Sequence, residues 1–428
     1  MQKKVIVVGG GLAGLTAAAY LVLQNHKVTL LEASPKLGGR TYSFFDKQTN
    51  TLIDNGQHIL MGCYYETLKF LSLIGAQNNF QYQERLEVNF VKEGFKIKSL
   101  KSFPLPYPFN LIIGLLRFDA IRFNDRMKLL KLFMKLPFIS SQEYSTLSVN
   151  EWLESEKQSE EVQNAFWKIL AVGALNTGIE KASAKIFIEI LKQMFLKGNE
   201  SSIIILPKFG LSESFVNNAQ NFILQNGGEL IVSEGIDSVI IENQMLKEIK
   251  CSDKTYSDFD FVISAIPAFA FNRIIGNTES LIIPEFEYST ILNIHIWLKE
   301  NVFPIGFFGI IDSPLHWVFN KGTHLNVVIS DANELANKSD AEVISVVKEE
   351  MKKYFLLEHD LILDYKIIKE KRATFIPSKD VIQKRPDQKT KIKNLVLAGD
   401  WVDTGLPSTI ESAVKSGRIA AKIVNGSG

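Results

Sequence analysis

The sequence predicts an α/β protein. One parallel sheet is assembled from separated stretches of chain, and a second α+β domain, a sheet with a helical insertion, is threaded between them. Three observations carry this. Residues 4–32 read as strand, glycine turn, helix, strand and acid. Near the other end, the apolar run Lys393–Ala398 leads into Gly399-Asp400 and then a helix of small residues. The chain has 428 residues, and single cores stop growing at about 250–300, so two domains are needed.

Lys4-Val-Ile-Val-Val8 is short, β-branched and bounded by glycine, the pattern of a buried strand. Gly9-Gly-Gly11-Leu12-Ala13-Gly14 comes next. Gly9 permits the tight turn, Gly11 lets the backbone approach a pyrophosphate seated on the helix N-terminus, and Gly14 lets the helix pack on the strand. Leu15–Leu23 continues the helix. Lys27–Leu31 is the next strand and ends in Glu32, placed to accept from a ribose hydroxyl. A glycine turn alone is weak evidence. In register with two strands, a helix and an acid, it reads as a Rossmann-type dinucleotide site, and Glu32 disfavours the 2′-phosphate of NADP.

Glu32-Ala-Ser-Pro-Lys-Leu-Gly38-Gly39-Arg40-Thr41 continues without pause. Two glycines and an arginine bring amides and a guanidinium to phosphates and a flavin edge, which separates FAD from NAD. Alone, Arg40 would read as a surface arginine. Here the sequence resembles the flavoprotein family of amine oxidases and carotenoid desaturases, which share this acid-to-Gly-Gly-Arg spacing.

That resemblance orders the rest. Gly228–Val232, Gly235–Ile241 and Phe259–Pro267 are strand-like and would return the chain to the cofactor, with Ile236 near the adenine and Ala265 among the contacts. Gly399-Asp400 would hold the ribityl chain. The helix start at Thr409-Ile410-Glu411 would face the N1/O2 edge of the flavin with its dipole and amides. Asp400 also reads as a simple helix-start acid. The expected cofactor domain is residues 1–65, 206–274 and 386–428, and the substrate domain is 66–205 and 275–385. The first insertion looks mostly helical. The second holds strand-like runs at Ile291–Leu298, Phe307–Ile311 and Asn326–Ser330, with His295 read as a structural histidine.

Composition excludes several classes. Lys+Arg 48 against Asp+Glu 47 gives no electrostatic case for nucleic acid, and Cys63 and Cys251 support neither a disulfide framework nor a metal site. No apolar run reaches the ~20 residues of a spanning helix, and no leader precedes the first strand, so a cytoplasmic protein is expected. Residues 96–139 are basic and greasy together, with nine Lys/Arg and two Asp from Lys96 to Lys135. Two readings stand: a segment lying on the inner face of the cytoplasmic membrane, or a core helix with a solvated basic face. Phe, at 29 copies, fits either a core or a greasy pocket.

Two strings narrow the family. Ile53-Asp54-Asn55-Gly56-Gln57-His58, running on to Gly62-Cys63-Tyr64, and Ala174-Leu175-Asn176-Thr177 resemble the hydroxysqualene dehydroxylases, squalene-associated FAD-dependent desaturases, along the whole chain. One departure is Gly178, where the family usually has proline. The resemblance implies reductive removal of the hydroxyl of hydroxysqualene, giving squalene by hydride transfer from reduced FAD. It places Gly56 and Gln57 at the cofactor and Asn176, Thr177 and Trp401 at the substrate. Asp54, His58 and Asp403 are candidates for the acid or proton relay, although Asp54 also reads as a turn residue and His58 as one that orients the flavin. The implied partners are a hydrophobic isoprenoid and an external reductant, since no second glycine fingerprint is present for NADH. The alternatives are a C30 or C40 carotenoid or apocarotenoid desaturase, a flavin amine oxidase with an aromatic cage and a lysine, and a flavin-binding membrane adaptor.

Overall fold

The computed structural model describes residues 1–275 and 281–426. Residues 276–280 and 427–428, at the edges of the ranges 275–385 and 386–428, lie outside the described residues. The β-branched run Lys4–Val8 forms the middle of a five-stranded sheet in the order 229–232, 27–32, 4–8, 261–264, 395–397. Every pair is parallel. The sheet thus draws strands from the beginning, middle and end of the chain. Both faces are covered, which is why its strands are apolar throughout rather than alternating.

Helix Leu12–Leu23 is buried nearly all round, and its alanines let the C-terminal helix Ile410–Asn425 lie against it. A Cβ on Gly417 would overlap the Ala13 carbonyl, so this crossing is set by backbone contact. Strands Ile236–Glu242, Met245–Cys251 and Thr255–Tyr256 form a separate small meander.

The second sheet has seven strands in the order 362–375, 288–298, 325–329, 317–320, 306–310, 87–92, 96–101. Its pairs are antiparallel except 306–310 with 87–92. Alternation divides its residues cleanly. Leu292, Ile294, Ile296, Phe308, Val318 and Val327 face helix Asp340–Phe355, which buries Val343, Val347, Met351 and Phe355 against them. Each such side chain contributes roughly 1.5–3 kcal/mol of burial. The opposite face turns toward the first insertion.

The first insertion is mostly helical, as expected, and also lends the strands Glu87–Lys92 and Lys96–Lys101 to the substrate sheet. Lys96, Lys98 and Lys101 therefore belong to an edge strand, where lysines discourage pairing with another chain. The basic, greasy segment is confined to helices Phe109–Arg117 and Phe123–Lys135 and the short helical turn Leu136–Phe138.

Candidate functional site

The site begins where strand Lys4–Val8 ends. Gly9 takes φ +104°, a conformation closed to most residues, and its N–H donates to Leu31 O at 2.8 Å. A Cβ on Gly14 would overlap the Gly9 carbonyl and press on Ala265, whose own N–H donates to Val8 O at 2.7 Å. Helix Leu12–Leu23 starts at Gly11 with no side-chain cap, so the first-turn amides of Leu12, Ala13 and Gly14 are available to an anion.

The second glycine loop lies directly on the first. Gly38 N–H donates to Gly10 O at 2.8 Å, and Gly11 and Gly38 are bridged in parallel register. A Cβ on Gly39 would sit 3.1 Å from Gly11 Cα, and Gly39 takes φ +59°, so this position needs glycine for the loops to meet. Glu32 fastens the corner: Oε2 accepts from Gly10 N–H at 2.6 Å and Oε1 from Ser34 N–H at 2.7 Å. Each oxygen keeps a second lone pair for a ribose hydroxyl. Glu234 N–H donates to Glu32 O at 2.9 Å, which sets Ile236 beside the same corner.

Arg40 crosses to the far end of the sheet. Its Nη2 donates to Asp400 Oδ2 at 2.8 Å, and Ser408 Oγ donates to the same oxygen. Thr409 caps the C-terminal helix by accepting from Ser412 N–H at 3.2 Å, and Ile410 is its first residue. Glu411 points elsewhere. Its carboxylate accepts from Glu66 and Thr67 N–H and Thr67 Oγ1 at 2.7–2.9 Å, capping helix Tyr65–Leu73, and burial pushes its carboxyl pKa up.

Arg385 is a residue that sequence reasoning missed. It is buried and donates to the carbonyls of Asp400 (2.9 Å), Trp401 (3.3 Å), Leu406 (2.6 Å) and Val402. Burial pulls its guanidinium pKa down to about 10, opposed by Asp403 and Asp400. One cation thus shapes the loop that carries Asp400. Nothing in the spacing around Arg385 marked it, because its partners are carbonyls.

The string 54–58 joins the two sheets. Asn293, on the substrate sheet, accepts from Gln57 N–H at 3.2 Å, and a Cβ on Gly56 would lie 3.1 Å from the Asn293 amide. His295 Nε2 donates to Asp54 O at 3.1 Å; burial and the neighbouring His324 pull its pKa down to about 3, so it is neutral, as a structural histidine should be. Lys321 Nζ donates to Gln57 Oε1 at 3.2 Å and lies 3.7 Å from Asp54 Oδ2.

The three acid candidates have other duties. Asp54 Oδ1 accepts from Ser43 Oγ at 2.7 Å and Leu211 N–H at 2.8 Å, so it braces three segments, in keeping with a turn residue. His58 Nε2 lies 3.4 Å from Arg40 O, which requires the proton on Nε2, and burial holds its pKa below the usual imidazole range. A neutral ring with Nδ1 bare is an acceptor, not an acid. Asp403 is exposed and accepts from Gly405 N–H at 3.0 Å within its own turn.

The substrate candidates also have structural partners. Trp401 is a buried wedge: its Nε1 donates to Ile266 O at 3.0 Å, its ring meets Phe271 and Phe286, and it leaves no room for a Cβ on Gly399. Asn176 Nδ2 donates to Thr374 Oγ1 at 2.9 Å, and its Oδ1 accepts from Asp331 N–H at 2.8 Å. Thr177 is buried and donates to Leu175 O. Asn176 latches a helix end to the substrate sheet, and Thr177 closes that helix end on itself. Gly178 N–H donates to Asp331 Oδ2 at 2.8 Å, a bond that proline could not make, which accounts for the departure.

The donor set fits a flavin dinucleotide. It offers bare helix-start amides, a cradle that a Cβ would fill at Gly39, a ribose acceptor at Glu32, and Asp400 at the last strand. Among the described residues, no group of three His, Cys, Asp or Glu is placed to hold a metal, and no helix is long and apolar enough to cross a membrane.

Comparison with known proteins agrees with this geometry. The profile of the flavin containing amine oxidoreductase family matches residues 12–425. The hydroxysqualene dehydroxylase of Zymomonas mobilis is 28% identical over 97% of this chain and 98% of its own. That of Rhodopseudomonas palustris is 27% identical over the full length of both. Among solved structures, an oxidoreductase from Methanosarcina mazei shares the fold, with a TM-score of 0.73 at 18% identity over 98% of this chain and 100% of its own.

Proposed function

From the premise that the chain belongs to the flavin containing amine oxidoreductase family and takes FAD as its cofactor, we propose that it reductively removes the hydroxyl of hydroxysqualene to give squalene and water. The observation that carries this is the end-to-end likeness to two hydroxysqualene dehydroxylases. The reaction asks for a cofactor cradle, a dry apolar surface and a proton for the leaving hydroxyl. Reduced FAD, when bound, supplies a hydride. Leu12, Ala13, Gly14, Glu32, Gly39 and Arg40 hold the dinucleotide, while Asp400 and the helix start at Ile410 take the ribityl and ring end. The domain division at 1–65, 206–274 and 386–428 against 66–205 and 275–385 goes with this assignment.

The substrate sheet supports an isoprenoid. On the face away from helix Asp340–Phe355, Phe307 stacks on Phe319 with centroids 5.6 Å apart. Trp317 meets Phe307 and Phe90, and Phe90 meets Phe118. Beyond them, a cavity of about 300 Å³ is lined by Leu100, Tyr107, Leu111, Leu115, Phe133 and Phe195. It lies under helices Phe109–Arg117 and Phe123–Lys135. The outer side of these helices exposes Phe109 (61%), Phe123 (60%) and Phe138 (88%) among Arg117, Arg122, Arg126, Lys131 and Lys135. Apolar tips within a basic field suit an anionic bilayer surface, so the reading includes peripheral membrane contact, with substrate drawn from the lipid. The electron donor is external.

The test is anaerobic incubation of the photoreduced enzyme with hydroxysqualene. Squalene formed in step with flavin reoxidation is the expected result. Untouched hydroxysqualene, with desaturation of a C30 or C40 polyene by the oxidised enzyme instead, would overturn it.

A further inference from the structure

If the reaction is as proposed, a proton must reach the hydroxyl oxygen, and the residues first placed there are otherwise engaged. Asp54 is tied to Ser43 and Leu211, His58 is neutral with its one proton on Arg40 O, and Asp403 sits in an exposed turn. Lys321 brings an ammonium group to the edge of the string 54–58, bonded to Gln57 and close to Asp54.

Its position is specific. Trp317–Asn320 and Leu325–Ile329 are adjacent antiparallel strands, and Lys321 opens the turn between them, its N–H donating to His324 O at 2.9 Å. Trp317 and Phe319 share one face of their strand, and Lys321 is the first residue beyond its end. It therefore stands where the aromatic floor of Trp317, Phe307 and Phe319 ends and the polar string Asp54–His58 begins. An isoprenoid arm lying on that floor brings a mid-chain hydroxyl to this border.

The charges around Lys321 suit proton delivery. Asp54 Oδ2 at 3.7 Å keeps a counter-charge beside it. His295 and His324 are both neutral, pulled down to about 3 and about 4, mainly by burial. Of the three ammonium protons, one goes to Gln57 Oε1 and one faces Asp54, which leaves the third. The side chain is 23% exposed, enough to recover a proton from solvent after turnover.

We infer that Lys321 is the proton donor to the substrate hydroxyl, an assignment that rests on the functional reading above. In the step, one Nζ–H bond breaks and an O–H bond forms as the C–O bond breaks with its electron pair on oxygen. Water leaves, and the carbon takes the hydride, two electrons and a proton, from the reduced flavin. Lys321 is left neutral and is reprotonated from solvent.

The experiment compares wild type, Lys321→Met and Lys321→Arg, each loaded with FAD, photoreduced and mixed with hydroxysqualene. FAD stoichiometry, the flavin spectral shift on substrate binding, and the pH profile of reoxidation are read for all three. Removing a general acid lowers rate by roughly 10²–10⁴-fold. Lys321→Met is expected to keep FAD and the substrate-induced shift but to fall at least 100-fold in reoxidation, and Lys321→Arg, which keeps the charge but does not give up a proton, is expected to fall with it. Lys321→Met reoxidised at the wild-type rate overturns the assignment. Lys321→Arg reoxidised near the wild-type rate while Lys321→Met is slow also overturns it, showing that the charge and not the proton is what the site uses. Wild type that binds FAD yet leaves hydroxysqualene unchanged overturns the functional reading, and the donor assignment with it.

Discussion

Arg40 Nη2 lies 2.8 Å from Asp400 Oδ2 and so ties the second glycine loop to the end of the last parallel strand, 360 residues away in the chain. The pair joins the loop that follows the interior strand Lys27–Glu32 to the loop that follows the edge strand Leu395–Leu397. Removing either partner takes away a charge-assisted bond of roughly 1.5–3 kcal/mol. Arg40 is partly exposed, so the lower end applies. Arg40→Ala and Asp400→Ala should each weaken FAD about 10-fold, and the double variant should weaken it by less than the product of the two. Reconstitution of apoprotein followed by flavin fluorescence checks both.

His316 supplies an acid-sensitive point away from the site. Its Nδ1 accepts from Ser330 N–H at 3.1 Å, so the fold needs the neutral ring, and burial pulls its pKa down from 6.5 to about 4. The unfolded chain therefore binds the proton first. Stability is full above pH 6.5 and declines as pH falls from 6.5 toward 4. His316→Gln should flatten that part of the curve of melting temperature against pH, and an unchanged slope would be the contrary result.

His58 is expected to be absent from the pH profile. Burial favours the neutral ring and holds its pKa below the usual imidazole range, so it is expected to add no limb of its own between pH 6.5 and 8. Rates of wild type and His58→Asn should run parallel over that interval. A wild-type inflection near 6.5 that vanishes in His58→Asn would return His58 to the proton relay.

The sequence made the cofactor cradle legible because its parts are local: Gly9, Gly11, Gly14 and Glu32 fall within one strand–helix–strand unit, where spacing dictates geometry. Lys321 was not legible. Its partner Gln57 is 264 residues away, and only the pairing of the turn's strands brings them together. The 14-residue strand Ile362–Phe375 was missed for a different reason: it is a sheet edge, and its lysines and acids hide the alternation that a half-buried strand shows. Trp401, Asn176 and Thr177 lie in strings that look functional, yet each serves by holding a corner.

Arg385 carries a prediction of its own. Its fork satisfies four backbone carbonyls in the loop 400–406, and a lysine cannot reproduce that planar geometry. Each buried carbonyl left without a donor costs about 1–3 kcal/mol. Arg385→Lys should lower the urea midpoint and raise FAD dissociation together, because the disturbed loop is the one that carries Asp400. A stable protein with normal FAD affinity would show that the loop is held by Trp401 packing alone.

The membrane reading is tested at the exposed tips. Phe109 and Phe123 project from the two basic helices and Phe138 from the turn at their end, while the cavity lies beneath. Replacing all three by serine leaves the fold intact, since each is mostly in solvent. Partition onto vesicles containing anionic phosphatidylglycerol should drop at least 10-fold, and wild-type binding should fall with salt, each nearby Lys or Arg being worth about 1 kcal/mol. Turnover on hydroxysqualene held in vesicles should fall with it, while turnover on detergent-dispersed substrate should not. Unchanged vesicle binding in the triple variant would leave these helices as a cover over the cavity, with a solvated basic face and no bilayer role.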